Sequence, residues 1–158
     1  MPHCTVNGLK YHFHCEGAGP PLLLLHGFTG SHASWEHQVP TFAKHFLTIA
    51  VDLPGHGKSD APEDPFRYRH ERVSADLVAL MARCGHSRFR LLGYSMGGRL
   101  ALALALFFPQ KVAAVVLESA SPGLATAAER ARRREQDERL ARKIEAEGVR
   151  RCVQYWEH

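Results

Sequence analysis

A five-residue run, Gly93-Tyr94-Ser95-Met96-Gly97, constrains the fold of this 158-residue chain more than any other feature. It follows Phe89 to Leu92, an apolar stretch typical of a buried strand, and precedes Gly98 to Phe108, which is typical of an apolar helix. A chain that turns sharply from strand to helix needs small residues beside the turn, so that the backbones can approach closely. The run therefore predicts Ser95 at the tip of a tight turn, with its hydroxyl exposed as a candidate catalytic group.

A second run, Leu22-Leu23-Leu24-Leu25-His26-Gly27, fits a central strand that is buried on both faces and ends at His26. Ligands bind where the carboxyl ends of parallel strands meet. The backbone N–H groups of Phe28 and Met96 can therefore point to the same place, as a candidate oxyanion hole. His26 precedes Ser95 and lies at a strand end, so we interpret it as a structural histidine rather than a catalytic base.

The rest of the chain alternates segments typical of strands and of helices. Asn7-Gly8 predicts a β-hairpin, because this dipeptide favours a two-residue turn between strands. One helix is expected from Ser31 to about Lys44, with Ser34 as its N-cap, and another over 73–84. Further strands are expected over 46–51 and 112–117. This rhythm predicts an α/β fold, with a mostly parallel sheet and helices on both of its faces.

The composition changes near Gly123. Residues 1–123 are predicted to form the sheet-containing core, and residues 124–158 to begin a helical cap. Between Glu129 and Arg151, nine basic residues alternate with six acidic ones, as in a solvated helix with ion pairs one turn apart. A nucleic-acid-binding patch would rarely carry so many acidic residues, so no nucleic-acid partner is predicted despite the net charge of +4.

Two localisation signals are missing from the sequence. The first eight residues carry no basic region followed by an apolar stretch, so no secretory signal is predicted. The longest apolar run, over 100–109, is far shorter than the roughly 20 residues that a membrane-spanning helix needs. We therefore expect a cytoplasmic protein with no membrane partner.

Two kinds of binding site are also unsupported. The four cysteines lie far apart, without the spacing of a zinc site, so free thiols and no metal are expected; they are Cys4, Cys15, Cys84 and Cys152. Gly57-Lys58-Ser59 is similar to the end of a phosphate-binding loop, but that motif needs a glycine where this chain has Asp52. Nucleotide binding is not predicted.

The order of His26-Gly27, the loop from Asp52 to Ser59 and the Ser95 turn resembles that of α/β-hydrolase-fold proteins. A closer resemblance is to the 2-succinyl-6-hydroxy-2,4-cyclohexadiene-1-carboxylate synthases of menaquinone biosynthesis. It is carried by Leu25 to Ser31 with Trp35, Gly93 to Leu102, Glu118, Ser121 to Leu124 and the helix rich in Glu and Arg. Arg99 one turn after Ser95, combined with the Pro-Gly-Leu segment, is the most specific part of the match.

This resemblance implies a lyase that removes pyruvate from 2-succinyl-5-enolpyruvyl-6-hydroxy-3-cyclohexene-1-carboxylate without a metal or organic cofactor. The implied partner is thus a small anionic polycarboxylate. Ser95 would serve as the base, or as the relay to a histidine, that removes a ring proton. The implied substrate-binding residues are Tyr94, Arg99, Arg133 and Trp156. Arginine suits this role because its guanidinium binds a carboxylate through two charge-assisted hydrogen bonds.

One departure from the fold concerns the partners of Ser95. The usual chain order is serine, acid, histidine. After Ser95 this sequence contains one aspartate, Asp137, and one histidine, His158. We therefore expect the chain to be the N-terminal part of such an enzyme, with turnover close to background and the 112–117 strand as an exposed sheet edge.

Two alternatives stay open from the sequence. The same fold could carry a serine esterase or a C–C hydrolase that forms an acyl-serine. A non-catalytic binding fragment would also fit the missing partners of Ser95 and the basic cap. The oligomeric state is not predicted.

Overall fold

The computed structural model describes residues 2–156, which divide into two compact units. The first unit extends to Ser121 and the second begins at Pro122. Within the described residues, no helix combines the length and the apolar character needed to cross a membrane.

A six-stranded sheet organises the first unit, with the strands in the order β1-β2-β4-β3-β5-β6. Strands β3 to β6 run parallel to one another, and the β1–β2 hairpin joins β4 in antiparallel fashion. The strands are β1 (His3–Val6), β2 (Leu9–Glu16), β3 (Pro21–Leu25), β4 (Leu47–Val51), β5 (Phe89–Tyr94) and β6 (Val112–Glu118). The predicted α/β architecture with a mostly parallel sheet is confirmed.

The hairpin between β1 and β2 forms where the sequence predicts it. Val6 pairs with Leu9, so the turn consists of Asn7 and Gly8. Both residues have positive φ, 48° and 80°, as a two-residue turn with the twist of its strands requires.

Helices cover both faces of the sheet. The α-helices of this unit are α1 (Val39–Phe42), α2 (His70–Arg83) and α3 (Met96–Phe107). Leu23 and Leu25 of β3 belong to the core cluster that includes residues of α2 and α3. Leu22 and Leu24 point the other way and pack with Trp35. Alternation along one strand therefore buries it on two sides, as four consecutive leucines predict.

The helix expected from Ser31 to Lys44 is wrong as a single element. A short 3₁₀ helix, His32–Trp35, is followed by a turn and then by α1. Pro40 lies in the first turn of α1. Proline has no N–H and clashes with the preceding turn, so it is tolerated at a helix start and interrupts a longer helix. The N-cap is Ser31, whose side chain accepts a hydrogen bond from the Ala33 amide, rather than Ser34.

Strand β6 lies at the edge of the described sheet, as the sequence predicts. Its apolar side chains are open to solvent, since Val115, Val116 and Leu117 are 37%, 58% and 39% exposed. This edge offers both unpaired backbone groups and apolar surface.

The second unit consists of α4 (Ala127–Glu147) and α5 (Val149–Trp156). Thr126 and Glu129 form a capping box at the start of α4. Gly148 separates the two helices with φ of 83°. Exposed ion pairs between residues one turn apart lie along α4, as its charge pattern predicts. They join Arg133 to Asp137, Glu135 to Arg139 and Glu138 to Arg142.

Candidate active site

Ser95 lies between the end of β5 and the start of α3, at the tip of the predicted turn. Its backbone φ of 51° and ψ of −110° fall in a region that residues other than glycine rarely adopt. The Ser95 amide donates a 2.8 Å hydrogen bond to the Glu118 carbonyl, and its own carbonyl accepts from the Arg99 amide at 3.1 Å. Such a conformation costs about 1–3 kcal/mol and persists only where the surroundings impose it.

Gly93 and Gly97 allow the close approach that this turn needs. A Cβ on Gly97 would lie 2.2 Å from the Leu25 carbonyl oxygen. A Cβ on Gly93 would lie 2.4 Å from the Gly97 carbonyl oxygen. A side chain at position 97 would push α3 away from the carboxyl end of β3, and one at position 93 would push α3 away from β5.

The same packing brings the turn after β3 against Ser95. A Cβ on Gly27 would lie 3.7 Å from the Ser95 Cβ and 3.0 Å from the Tyr94 ring. The peptide that carries the Phe28 N–H is therefore adjacent to the residues around Ser95. The Met96 N–H belongs to the first turn of α3, where backbone N–H groups have no partner within the helix.

His26 fixes the orientation of this neighbouring peptide. The Gly27 carbonyl accepts hydrogen bonds from His26 Nδ1, at 2.7 Å, and from the Gly30 amide, at 3.0 Å. In a trans peptide the N–H points away from the carbonyl, so the direction of the Phe28 N–H is fixed as well. The sequence interpretation of His26 as a structural residue agrees with this arrangement.

The protonation state of His26 follows from its surroundings. Nδ1 donates to a carbonyl, whereas Nε2 accepts from the Leu53 amide at 3.0 Å, so the ring is neutral. Burial is the main reason that the pKa of His26 is lowered to about 4. A proton on Nε2 would cost the bond to Leu53.

Asp52 supports the loops on either side of His26. One carboxylate oxygen accepts from the His32 amide (2.6 Å) and His32 Nδ1 (2.8 Å), and the other from His12 Nδ1 and the Lys58 amide (both 2.9 Å). Burial alone would raise the pKa of this carboxyl, but the hydrogen bonds from His32 and Lys58 lower it overall. The Asp52 to Ser59 loop is thereby tied to β2 and to the 3₁₀ helix.

His12, His32 and Asp52 are also spaced as metal ligands, with their potential ligand atoms within 4.8 Å of one another. Each Asp52 oxygen already accepts two N–H donors. A cation there would have to displace bonds that satisfy a fully buried carboxylate. We therefore interpret this cluster as loop support.

Two of the implied substrate-binding residues flank Ser95. Tyr94 is 45% exposed at the end of β5. Arg99 is exposed one turn into α3. Helical side chains generally lean towards the helix N-terminus, which in α3 is the end next to Ser95. The Arg99 charge also acts on His70. Desolvation of the His70 ring, and after it the charge of Arg99, lower the pKa of His70, although this residue is exposed.

The other two implied residues belong to the second unit. Arg133 Nε donates to Asp137 Oδ1 at 2.8 Å within α4. Trp156 is the last residue of α5 and is 55% exposed. Their roles towards the Ser95 site remain predictions.

Three histidines that support the site are not marked by any sequence motif. His12 and His32 reach Asp52 across 40 and 20 residues of sequence, so no local spacing marks them. His56 lies in the loop from Asp52 to Ser59, whose sequence assigns it no individual role. A signal for all three is the unusual number of histidines, 11 in the chain.

The family follows from a match along most of the chain. The sequence model of the α/β hydrolase fold family matches residues 20–153. The chain belongs to the α/β-hydrolase fold family. This membership agrees with the parallel sheet and with Ser95 between strand and helix.

Relatives within the α/β-hydrolase fold family carry more than one activity in their names. The chain is 41% identical, over 98% of its length, to a Bacillus subtilis (strain 168) protein provisionally named 2-succinyl-6-hydroxy-2,4-cyclohexadiene-1-carboxylate synthase. It is 38% identical, over 68% of its length, to bifunctional epoxide hydrolase 2 of Sus scrofa. The chain spans 58% and 20% of these two relatives.

A solved structure shares the fold over nearly the whole chain. It is a hydrolase from Pseudomonas aeruginosa PA01, which matches with a TM-score of 0.78 and 30% identity. The match covers 90% of this chain and 52% of that one.

Proposed function

We propose that this chain contributes to the elimination of pyruvate from 2-succinyl-5-enolpyruvyl-6-hydroxy-3-cyclohexene-1-carboxylate, a lyase reaction of menaquinone biosynthesis. The observation that carries the proposal is Arg99 one turn after a strained Ser95. A guanidinium there gives an anionic substrate a partner beside the reacting atoms. A neutral ester or epoxide would leave that charge without a use.

The extent of the sequence matches supports the same choice. The match to the provisionally named synthase covers 98% of the chain, including the helices after Pro122, whereas the match to the Sus scrofa epoxide hydrolase covers 68%. The relative that also matches the helical segment is therefore the better guide to the chemistry.

In the proposed reaction, the Ser95 hydroxyl transfers its proton to a histidine base while its oxygen takes a proton from the ring. The electron pair of the broken C–H bond forms the new ring double bond, and the C–O bond to the enolpyruvyl group breaks with its electron pair on the leaving oxygen. The released enolate takes up the proton and becomes pyruvate. Negative charge that develops during proton removal is stabilised by the amides of Phe28 and Met96 and by the positive end of α3. Removing one such donor typically costs roughly 3 kcal/mol of barrier.

The second candidate is hydrolysis of an ester or an epoxide through the same site. It is favoured by the hydrolase names of several relatives. In this case Arg99 would have no anionic group to bind, and Ser95 would form a covalent adduct with an ester.

Ligand class and products separate the two candidates. The chain is titrated by calorimetry with the enolpyruvyl tricarboxylate, p-nitrophenyl acetate and styrene oxide, and the mixtures are analysed for pyruvate, p-nitrophenol and diol. We expect heat of binding with the tricarboxylate alone, and pyruvate as the product of any turnover. Formation of p-nitrophenol or diol without pyruvate would overturn the proposal in favour of hydrolysis.

A further inference from the structure

His56 lies between two loops that meet beside Ser95. Its Nε2 contacts the carbonyl oxygen of Phe28, and its Nδ1 lies 3.0 Å from the carbonyl oxygen of Pro54. Pro54 is in the same turn as His56, whereas Phe28 is 28 residues away in the turn after β3. The His56 ring therefore links its own loop to the turn after β3, which carries the Phe28 N–H of the candidate oxyanion hole.

The two contacts have the same chemistry but differ in how far they reach along the chain. A carbonyl oxygen only accepts hydrogen bonds, so each contact is favourable only if the facing ring nitrogen carries a proton. The Pro54 contact closes a local turn that backbone bonds already form, from the His56 amide to Leu53 and from the Ser59 amide to His56. The Phe28 contact is long-range and holds a peptide next to the Gly27–Phe28 peptide.

The surroundings of His56 favour a fixed ring. The His26 ring lies 5.0 Å away between centroids, and the Phe28 ring lies 6.2 Å away in an edge-on arrangement. His26 is neutral near pH 7, because burial lowers its pKa to about 4. The charged groups that share this loop are Asp52, whose oxygens are satisfied by other donors, and the exposed Lys58.

We propose that His56 is a positioning residue: its Nε2–H binds the Phe28 carbonyl and thereby holds the Phe28 amide in the orientation that the candidate oxyanion hole requires. His26 and the Gly30 amide hold the Gly27 carbonyl on one side of Phe28, and His56 holds the Phe28 carbonyl on the other. Two consecutive peptides are then fixed. The inference rests on the proposed function, since it assigns a purpose to the oxyanion hole.

The test uses three substitutions with different reach. In His56→Gln the amide N–H takes the approximate place of Nε2–H, in His56→Asn it takes that of Nδ1–H, and His56→Ala has no donor. His37→Gln is the matched control, because the His37 side chain is 87% exposed and distant in sequence from the loop. Heteronuclear NMR of the unsubstituted chain identifies which His56 nitrogen carries the proton.

The first readout is hydrogen exchange of the Gly30 amide, which is bonded to the Gly27 carbonyl. Loss of the His56 bond should speed this exchange about tenfold in His56→Ala and His56→Asn. His56→Gln and His37→Gln should stay close to the unsubstituted chain. Equal exchange in His56→Ala and the unsubstituted chain, equal effects of Asn and Gln, or an unprotonated Nε2 would overturn the proposal.

The second readout is affinity for phenylboronic acid. Its boron bonds to the Ser95 oxygen, the hydroxyl proton leaves to solvent, and the tetrahedral anion requires the oxyanion donors. We expect affinity to fall about tenfold in His56→Ala and to recover in His56→Gln. Unchanged affinity in His56→Ala, or no binding to the unsubstituted chain, would overturn the inference.

A parallel titration with the enolpyruvyl tricarboxylate separates this inference from the proposed function. If the tricarboxylate does not bind while the His56 pattern appears with phenylboronic acid, the proposed substrate is wrong and the positioning role stands. If the tricarboxylate binds and the His56 pattern is missing, only the positioning role fails.

Discussion

The Leu53 amide donates a 3.0 Å hydrogen bond to Nε2 of His26, and this bond joins the turn after β4 to the turn after β3. The histidine can accept it only while the ring is neutral. The geometry beside Ser95 therefore depends on the protonation state of one buried imidazole, that of His26.

The free energy of unfolding should fall as the pH decreases through the range in which His26 is protonated in the unfolded state but not in the folded state. Its pKa is lowered by burial from 6.5 to about 4. Between these values the unfolded state binds a proton that the folded state does not bind, so acidification favours unfolding. The full shift corresponds to roughly 3 kcal/mol.

Urea unfolding above and below this pH range measures the effect. His26→Gln should be less stable at neutral pH and should show a shallower pH dependence. The exposed His37→Gln should behave like the unsubstituted chain. Constant stability of the unsubstituted chain across this range would refute the assignment.

Backbone strain at Ser95 predicts that a loss of function can stabilise the fold. Glycine adopts positive φ without the steric cost that a Cβ imposes, so Ser95→Gly should raise the free energy of unfolding by about 1 kcal/mol. Ser95→Ala removes the hydroxyl and keeps the strain, so it is the matched control. Thermal unfolding of both variants decides: a Ser95→Gly chain no more stable than Ser95→Ala contradicts the strained turn.

The open edge of β6 predicts self-association. Val116 is 58% exposed on a strand with unpaired backbone groups. Val116→Lys places a charge on that edge and should shift the chain towards the monomer. Val149→Lys changes a comparably exposed valine, 66% exposed, in the second unit and serves as the control.

Sedimentation velocity over a range of concentrations compares these variants. We expect the unsubstituted chain and Val149→Lys to associate at concentrations where Val116→Lys does not. A compact monomer for the unsubstituted chain at every concentration would contradict self-association through the edge of β6.

The fold could be predicted from sequence because its signals are local. Four consecutive leucines, Asn7-Gly8 and the glycines around Ser95 each act within a few residues, and the structure places a strand, a hairpin and the strand-to-helix turn there. The single helix expected over 31–44 is wrong for an equally local reason, because Pro40 lies in the first turn of α1 and interrupts a longer helix.

The support of the site could not be predicted in the same way. Asp52 reaches His12 and His32 through contacts that only the folded sheet creates. His56 depends on the meeting of two loops, which no spacing rule describes. Sequence motifs therefore located Ser95, whereas the residues that hold its surroundings emerged from tertiary structure.

The proposed function depends most directly on Arg99, which would bind a carboxylate of the substrate beside Ser95. Calorimetric titration of the enolpyruvyl tricarboxylate into the unsubstituted chain, Arg99→Ala and the control Arg139→Ala tests it most directly. Arg139 is exposed on α4 and pairs with Glu135. Loss of a charge-assisted pair predicts an affinity roughly 10- to 100-fold weaker in Arg99→Ala, with Arg139→Ala unchanged. Equal affinity in Arg99→Ala and the unsubstituted chain would contradict the account.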